Sequence, residues 1–146
     1  MYWSDEMNMG RKLMTTVLTI ICFTLAASLI SMNESYSFDF YILIYPIYAT
    51  PLILLIGLPL SILLDYLLSQ IQFVNHVLYL STRILSYACA GVLGMYIYYL
   101  VMGAGEAILD FKETLVLTLF GVLAAILFVL IDMGLEVLLK MRRRKS

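Results

Sequence analysis

Residues 40–68, with the sequence FYILIYPIYATPLILLIGLPLSILLDYLL, decide the fold of this chain. The first 25 of them, 40–64, carry no charged side chain, and an acid, Asp65, follows directly. An uncharged apolar run of this length predicts a helix that is surrounded by lipid. At about 1.5 Å per residue the run would be roughly 37 Å long, which exceeds the hydrocarbon thickness of about 30 Å. We therefore expect this helix to be tilted or kinked.

All three prolines of the protein, Pro46, Pro51 and Pro59, lie in this stretch. Each proline lacks an amide donor, so a continuous helix would leave the carbonyls of Ile42, Ile47 and Leu55 without their usual partners. A neighbouring helix, a hydroxyl group or water can serve such carbonyls inside a membrane. The prolines therefore predict a kinked helix.

The composition of the whole chain excludes an ordinary soluble domain. Of its 146 residues 63% are hydrophobic and 13% are charged, and the mean hydropathy is +0.98. So few polar side chains cannot cover a globular surface. Within lipid each backbone polar group must be satisfied inside the protein, which favours a bundle of spanning helices.

Four apolar runs predict an all-α, integral membrane bundle of four transmembrane helices that forms a single membrane domain over residues 1–146. The expected spans are residues 13–32, 40–64, 84–105 and 115–137, and a basic tail covers residues 138–146. The first run also resembles a signal peptide, with Ala26, Ala27 and Ser28 as small residues at a cleavage site. The run is longer than a secretory core and more spans follow it, which favours an uncleaved helix.

The lysines and arginines predict the orientation. With both termini cytoplasmic, eight of the nine lie inside and Lys112 alone lies outside, as the positive-inside rule requires. The outer loops would then be acidic, and they would carry Glu34, Asp39, Glu106, Asp110 and Glu113. Such loops could draw cationic peptides or ions, or they could be what remains once positive charge is kept inside.

Residues 65–83, DYLLSQIQFVNHVLYLSTR, are the most polar interior part of the chain. On one helical wheel Asp65, His76 and Arg83 fall in the same sector as Ser69 and Gln72. One interpretation is an amphipathic turn that lies at the membrane interface. The alternative is a functional polar cluster of Asp65, His76 and Arg83, because a histidine beside an acid titrates near neutral pH.

Small residues recur at four-residue spacing in the third and fourth spans. They are Ser86, Ala90 and Gly94 in the third span and Gly121 and Ala125 in the fourth. Such faces allow two helices to approach closely, so we expect them to pack within the bundle or in an oligomer.

Two further patterns lie near the ends of the spans. Tyr41, Tyr45 and Tyr48 share one helical face, which predicts an aromatic belt at one membrane surface and leaves open a polar cavity lining. Tyrosines 96, 98 and 99 predict the same belt on the third span. Asp132, Glu136 and Lys140 follow at i, i+4 and i+8, which suits a helix that leaves the membrane with Glu136 and Lys140 paired.

The segment SFDFYILIYPIYATPLILLIGLPLSILLDYL resembles an uncharacterised family of small multispanning membrane proteins from bacilli. The resemblance rests on Tyr45 and Pro46, on the stretch Gly57, Pro59 and Ser61, and on the acid Asp65, and it covers mainly the first half of the chain. It implies an integral membrane location in a bacterial cell membrane. It supplies no activity, cofactor or catalytic residue.

Three function classes remain. The first is a non-enzymatic membrane protein that acts by contacts with another membrane protein or a peptide, as an accessory or immunity-type factor. The second is an oligomeric small-solute or ion transporter or channel, against which no acid or base lies at the centre of a predicted span. An enzyme comes third, because no catalytic motif occurs and Asp65 and His76 are the only candidate acid and base.

The sequence predicts no cofactor, no metal site and no nucleic acid partner. The expected surroundings are the lipid bilayer, together with a membrane-protein or peptide partner or further copies of the chain. Both cysteines, Cys22 and Cys89, lie in apolar runs and are expected to act as small hydrophobic side chains.

Overall fold

A computed structural model describes residues 9–32, 37–101 and 111–145, and in the described residues all regular structure is helical. Four helices follow one another within these ranges. Helix α1 is Met9–Ser31, α2 is Phe38–Ser69, α3 is His76–Val101 and α4 is Phe111–Lys145. Each is long and apolar enough to cross a membrane, which confirms the predicted all-α bundle of four spanning helices.

Helix α2 contains a π-helical segment between its second and third prolines. An α-helical part, Phe38–Pro51, is followed by the π-helical residues Leu52–Gly57 and by a second α-helical part, Leu58–Ser69. The amide of Leu58 donates to the carbonyl of Ile53, five residues earlier, which is the pairing of a widened turn. The chain thus remains helical through its prolines, and the irregular turn lies near the middle of α2.

The connection between α2 and α3 is short. Helix α2 ends at Ser69 and α3 begins at His76, where the side-chain oxygen of Asn75 accepts a 3.1 Å hydrogen bond from the Val77 amide and caps the helix. Asp65 and Arg83 therefore lie inside α2 and α3. Residues 65–83, which we placed on one helical wheel from the sequence, do not form one continuous helix, because the chain reverses direction at residues 70–75.

The four helices pack as a ring in which neighbours along the chain are antiparallel. Helix α1 packs against the first part of α2 and against α4, whereas α3 packs against α4 and against the later parts of α2. The core between them is built from apolar side chains of all four helices, including Phe23, Ile53, Tyr87 and Phe128. The amino-terminal end of α1 and the carboxyl-terminal end of α2 consequently lie at the same end of the bundle as the start of α3 and residues 132–140 of α4.

Helices α3 and α4 touch through glycine. A Cβ atom on Gly91 would come within 2.8 Å of the Ala125 Cβ atom and even closer to the carbonyl oxygen of Gly121. The small face predicted on α4 is thus used inside the bundle. On α3 the contact residue is Gly91, while Gly94 faces α2, where its Cβ would lie 3.3 Å from the Ile56 side chain.

The outward faces of the helices carry large apolar side chains. Leu43, Leu55, Leu85 and Leu119, one or two from each of three helices, are among those that are more than half exposed. Such a surface suits lipid rather than water. Together with the four long apolar helices, it describes a small multi-pass membrane protein.

Candidate functional site

Six ionisable side chains meet at one end of the bundle, and we call them the ionic network. Three are cationic and three are acidic, and every helix contributes at least one: Arg11 and Lys12 from α1, Asp65 from α2, Arg83 from α3, and Asp132 and Glu136 from α4. With all six ionised the network has no net charge.

Asp132 is the centre of the ionic network. Its side chain is 0% exposed, and its two oxygens contact all three cations. The Oδ1 atom lies 3.2 Å from Arg11 Nε, while Oδ2 lies 3.0 Å from Lys12 Nζ and 2.8 Å from Arg83 Nη2. The Thr15 hydroxyl adds a 3.2 Å contact to Oδ1. This carboxylate therefore ties α1, α3 and α4 together.

Lys12 occupies a site that offers acceptors for its ammonium group on three sides. The Nζ atom lies 2.5 Å from Asp65 Oδ2 and 3.0 Å from Asp132 Oδ2, and it is 3.3 Å from the Tyr87 hydroxyl oxygen. An ammonium group has three donors, so these partners account for all of them. Nζ also lies 5.9 Å and 5.7 Å from the centroids of the Tyr87 and Phe128 rings, within cation–π range.

Arg83 links the acids of α2 and α4. Its Nη2 atom lies 2.8 Å from Asp132 Oδ2 and 3.6 Å from Asp65 Oδ1, and its Nη1 atom lies 3.3 Å from Glu136 Oε2. The planar guanidinium group can contact several carboxylates at once, which an ammonium group does less readily. Arg83 thus holds the start of α3 against two other helices.

Tyr87 connects the ionic network with the backbone of α2. Its hydroxyl donates a 2.8 Å hydrogen bond to Asp65 Oδ1 and also lies 3.3 Å from the Ser61 carbonyl oxygen. The Tyr87 hydroxyl oxygen can also accept a hydrogen bond from the Lys12 ammonium group. The phenol therefore orients the Asp65 carboxylate towards Lys12.

Glu136 and Lys140 form the water-facing edge of the site. The Lys140 Nζ atom lies 2.7 Å from Glu136 Oε1, at the i, i+4 spacing that the sequence predicted for this pair. The Lys140 side chain is 71% exposed, that of Glu136 is 23% exposed and that of Asp65 is 14% exposed. Burial thus increases from this edge towards Asp132.

The energetics of the ionic network follow from this burial. Each buried ion loses several kcal/mol of hydration, and close partners return most of that loss only while all of them are present. Removing one partner of a buried pair costs about 3–5 kcal/mol, because the remaining charge has no water to solvate it. The six groups therefore act as one unit.

An apolar groove begins beside the ionic network and runs along the bundle between α2, α3 and α4. It is open on one side, so the protein encloses only part of the space beside its lining residues. The π-helical segment forms one wall, the small residues of α3 and α4 form the other, and Tyr87 and Phe128 stand at the network end. Ala90, Gly91, Gly94, Gly121 and Ala125 leave the space that larger side chains would fill.

The structure brings together only part of the polar cluster expected from the sequence. Asp65 and Arg83 lie 3.6 Å apart in the ionic network. His76 is exposed at the start of α3, where its ring stacks on Tyr79, 6.4 Å between centroids. The wheel that grouped His76 with the other two assumed one continuous helix, which the reversal at residues 70–75 interrupts.

Four members of the site were not expected from the sequence. Each of the three charged members stands at the end of its apolar run. From sequence alone, Arg11 and Lys12 are therefore interpreted as charges that flank a span, and Asp132 as the first residue of a helix that leaves the membrane. One signal was present, namely Thr15, Thr16 and Thr19, which extend the face of Lys12 into the span and are buried. Tyr87 carries no such signal.

The predicted tyrosine belt is only partly at the surface. Tyr48 and Tyr96 are exposed, whereas Tyr45 turns inwards and packs against Phe23 and Phe120. The Tyr45 hydroxyl is hydrogen-bonded to the Ser31 hydroxyl. Tyr45 thus belongs to the packing between α1, α2 and α4.

Several expected features fall where the structure gives no description. The leader with Asp5 and Glu6, the loop residue Glu34, and the loop residues Glu106 and Asp110 lie outside the described residues, as do the side chains of Lys112 and Glu113. Asp39 is described and is exposed at the start of α2. Across the described ranges, no three His, Cys, Asp or Glu side chains are placed to hold a metal ion.

The chain was compared with known proteins in three ways. Neither the protein-family models nor the curated proteins nor the solved structures gave a match to this chain.

Proposed function

We propose that this protein is a transporter of small solutes or ions, in which the ionic network closes one end of the pathway. The observation that carries the proposal is the largely buried ionic network of three cations and three acids, contributed by all four helices, at the end of an open groove. Ionisable groups inside a membrane bundle are costly and usually mark a substrate or ion pathway.

A role in stability alone explains the ionic network less well. Buried ion pairs in proteins can often be replaced by apolar side chains of similar volume without loss of stability. What an ion-pair network adds is a contact that can exist in two states, paired in a dry interface or separated and hydrated. A gate between helices needs such a contact, since the closed and open states must differ by only a few kcal/mol.

The groove supports the same function. It lies between helices of a single chain, so a pathway can begin inside one copy of the protein. Its wall includes the π-helical segment of α2, a local irregularity of the kind often found at functional sites. An opening of the ionic network would connect this groove with the water at the network end.

The proposed orientation places the ionic network on the cytoplasmic side of a bacterial cell membrane. Eight of nine basic residues belong to this side when both termini are cytoplasmic. The bacterial origin rests on the resemblance of residues 37–67 to small multispanning proteins of bacilli.

Action through another membrane protein or a peptide is the second candidate function. The outward apolar faces of the four helices support it, because a partner helix could replace lipid there. The small-residue faces, where we expected packing in the bundle or in an oligomer, support this candidate less. Gly91, Gly121 and Ala125 pack against one another inside the bundle. Crosslinking in intact cells that yields one reproducible hetero-complex would favour this candidate.

The test of transport is flux in proteoliposomes. Currents would be recorded after concentration jumps of Na⁺, K⁺, H⁺ and small organic cations, for the wild type, for Asp65→Asn and for Asp39→Asn. We expect flux of at least one solute, a loss of at least tenfold in Asp65→Asn and no change in Asp39→Asn, which alters an exposed acid of the same helix. Wild-type currents equal to those of empty liposomes for the whole panel would refute the proposal.

A further inference from the structure

The surroundings of Lys12 form a binding site for an ammonium group at the end of an apolar groove. Two carboxylates, one phenol oxygen and the faces of two aromatic rings converge on the Nζ atom. Cation–π attraction and carboxylate contacts are the means by which proteins recognise organic ammonium ions. In this structure the chain fills that site with its own side chain.

The groove reaches the same site from the membrane interior. Tyr87 and Phe128 line the groove at its network end, and their rings, 6.1 Å apart between centroids, are also those against which the Lys12 ammonium group lies. Ser61, whose carbonyl oxygen lies within 3.3 Å of the Tyr87 hydroxyl, lines the groove as well. The groove and the ammonium site of Lys12 therefore share Tyr87 and Phe128 as common wall residues.

The lining excludes strongly hydrated solutes. Apart from Ser61 and Tyr87 it consists of aliphatic side chains, glycine, Met95 and Phe128. The Ser61 hydroxyl already donates to the Leu58 carbonyl, and the Tyr87 hydroxyl already donates to Asp65. A sugar or an amino acid would lose its water in the groove without gaining hydrogen bonds, which costs several kcal/mol. An alkyl chain loses nothing there.

We propose that the groove binds a primary alkylammonium ion, with the alkyl chain along α3 and the ammonium group in the place of Lys12 Nζ. The groove extends from Tyr87 to Met95, about 12 Å at 1.5 Å per residue, which suits a chain of about eight carbons. The inference rests on the proposed transport function and names its substrate class. Lys12 is then a tethered competitor, which must leave Asp65 before the substrate ion can pair there.

Displacement of Lys12 couples binding to the gate. Lys12 joins α1 to Asp65 of α2 and to Asp132 of α4, so its release removes the contact of α1 with the carboxylate of α2. The incoming ammonium ion takes over the contact with Asp65 but is not attached to α1. The displaced Lys12 ammonium group moves towards the exposed edge at Glu136 and Lys140, where water solvates its charge. Substrate binding therefore loosens α1 from α2 at the network end.

The experiment measures binding of n-octylammonium to the purified protein in nanodiscs by isothermal titration calorimetry. The controls are n-octanol, which has the same chain without charge, and n-octanoate, which has the opposite charge. We expect saturable binding of n-octylammonium that neither control reproduces. Tighter binding of n-octanoate than of n-octylammonium would overturn the inference, because the site would then select anions.

The direction in which Lys12→Met changes the affinity for n-octylammonium tests whether Lys12 competes with the ion. The substitution keeps the length of the side chain and removes the competitor, so we expect n-octylammonium to bind at least tenfold more tightly than to the wild type. The ion should also raise the melting temperature of Lys12→Met, and n-octanol should not, because only the ion restores the ammonium contact that Asp65 and Asp132 lose in this variant. Weaker binding in this variant would overturn the inference.

A second pair of variants keeps the test decisive if Lys12→Met fails to fold. Ala90→Leu adds bulk to the groove wall, whereas Cys89→Leu places the same larger side chain at an exposed neighbouring position. We expect at least a tenfold loss of n-octylammonium binding in Ala90→Leu and wild-type binding in Cys89→Leu. Equal binding in both variants would show that the ion does not occupy the groove.

Binding and transport fail separately in these measurements. Saturable n-octylammonium binding without any flux in proteoliposomes would retain the site and refute the transporter. Flux of another solute without n-octylammonium binding would retain the transporter and refute the substrate class.

Discussion

The two halves of the bundle are held together by different chemistry. At one end the ionic network joins all four helices through Asp132, Lys12 and Arg83. Towards the other end Phe23, Tyr45 and Phe120 pack with ring centroids 6.2–6.4 Å apart, and we call these three the aromatic cluster. Lipid tails can replace an aromatic neighbour with little loss, whereas nothing in the membrane interior can replace the partner of a charge.

This difference predicts where the bundle tolerates change. In the aromatic cluster a substitution leaves a gap that neighbouring side chains or lipid can occupy. In the ionic network each removal leaves buried charges with fewer partners of opposite sign. The network end should therefore decide which helices meet, and the aromatic end should adjust to them.

The largest expected effect is that of Asp132→Asn. This change removes the carboxylate charge that Arg11, Lys12 and Arg83 share, and removal of one partner from a buried pair costs about 3–5 kcal/mol. The measurement is the free energy of unfolding from SDS titration in mixed micelles. Asp39→Asn, at an exposed acid, is the control and should change it by less than about 0.5 kcal/mol. Equal effects of the two variants would contradict a structural role for the network.

Gly91→Ala tests the contact that lies between the two halves. The added methyl group would overlap the Gly121 carbonyl and the Ala125 side chain, so α3 and α4 must separate, at a cost of about 1–3 kcal/mol. Gly134→Ala is the matched control on α4, because a methyl group there meets nothing within 4 Å. The control should be neutral or slightly stabilising, since alanine favours helix more than glycine does. SDS titration compares the two variants, and no loss in Gly91→Ala would argue against the close approach.

Removal of one tyrosine hydroxyl from each half compares the two directly. Tyr87→Phe deletes a hydroxyl that contacts both Lys12 and Asp65, and hydrogen bonds to charged groups contribute about 1.5–3 kcal/mol. Tyr45→Phe deletes the neutral hydrogen bond to Ser31, and such bonds between membrane helices average about 0.6 kcal/mol. The loss in the free energy of unfolding should therefore be larger in Tyr87→Phe than in Tyr45→Phe by about 1 kcal/mol or more. A larger loss in Tyr45→Phe would reverse the comparison.

The smallest expected effect lies at the exposed edge of the ionic network. Lys140→Ala removes a cation whose side chain is 71% exposed, and an i, i+4 helix pair of this kind contributes about 0.3–0.5 kcal/mol. The effect should shrink further when the salt concentration is raised, because exposed charges are screened. Unfolding measured at low and high salt provides the check, and a loss above about 2 kcal/mol would mean that Lys140 belongs to the buried part.

The fold was largely predictable because it depends on local properties. Four apolar runs that exceed the membrane thickness predict four helices, and the structure contains them, each beginning before its expected span. The pairing of Glu136 with Lys140 was also predictable, since both lie on one helix. The prolines of α2 indicated an irregular helix, and the π-helical segment between Pro51 and Pro59 is its form.

The candidate site was predictable only in part. Asp65 and Arg83 stand out as charges within an apolar region, and both belong to the ionic network. Lys12 and Asp132 are 120 residues apart in sequence, and each lies beside an apolar run where a charge needs no explanation. Their pairing depends on the axial position of each helix relative to its neighbours, and no local sequence pattern predicts that position.

The sequence by itself determined the class of this protein, namely a small all-helical bundle that spans the membrane four times. Hydrophobicity is a property of each segment, so lipid selects the helices before they meet. Only the tertiary structure decided that charges at the ends of four separate runs become one buried network, and that small residues between them leave a groove. Both depend on the rotation and axial position of each helix, which packing and charge pairing set once the helices lie side by side.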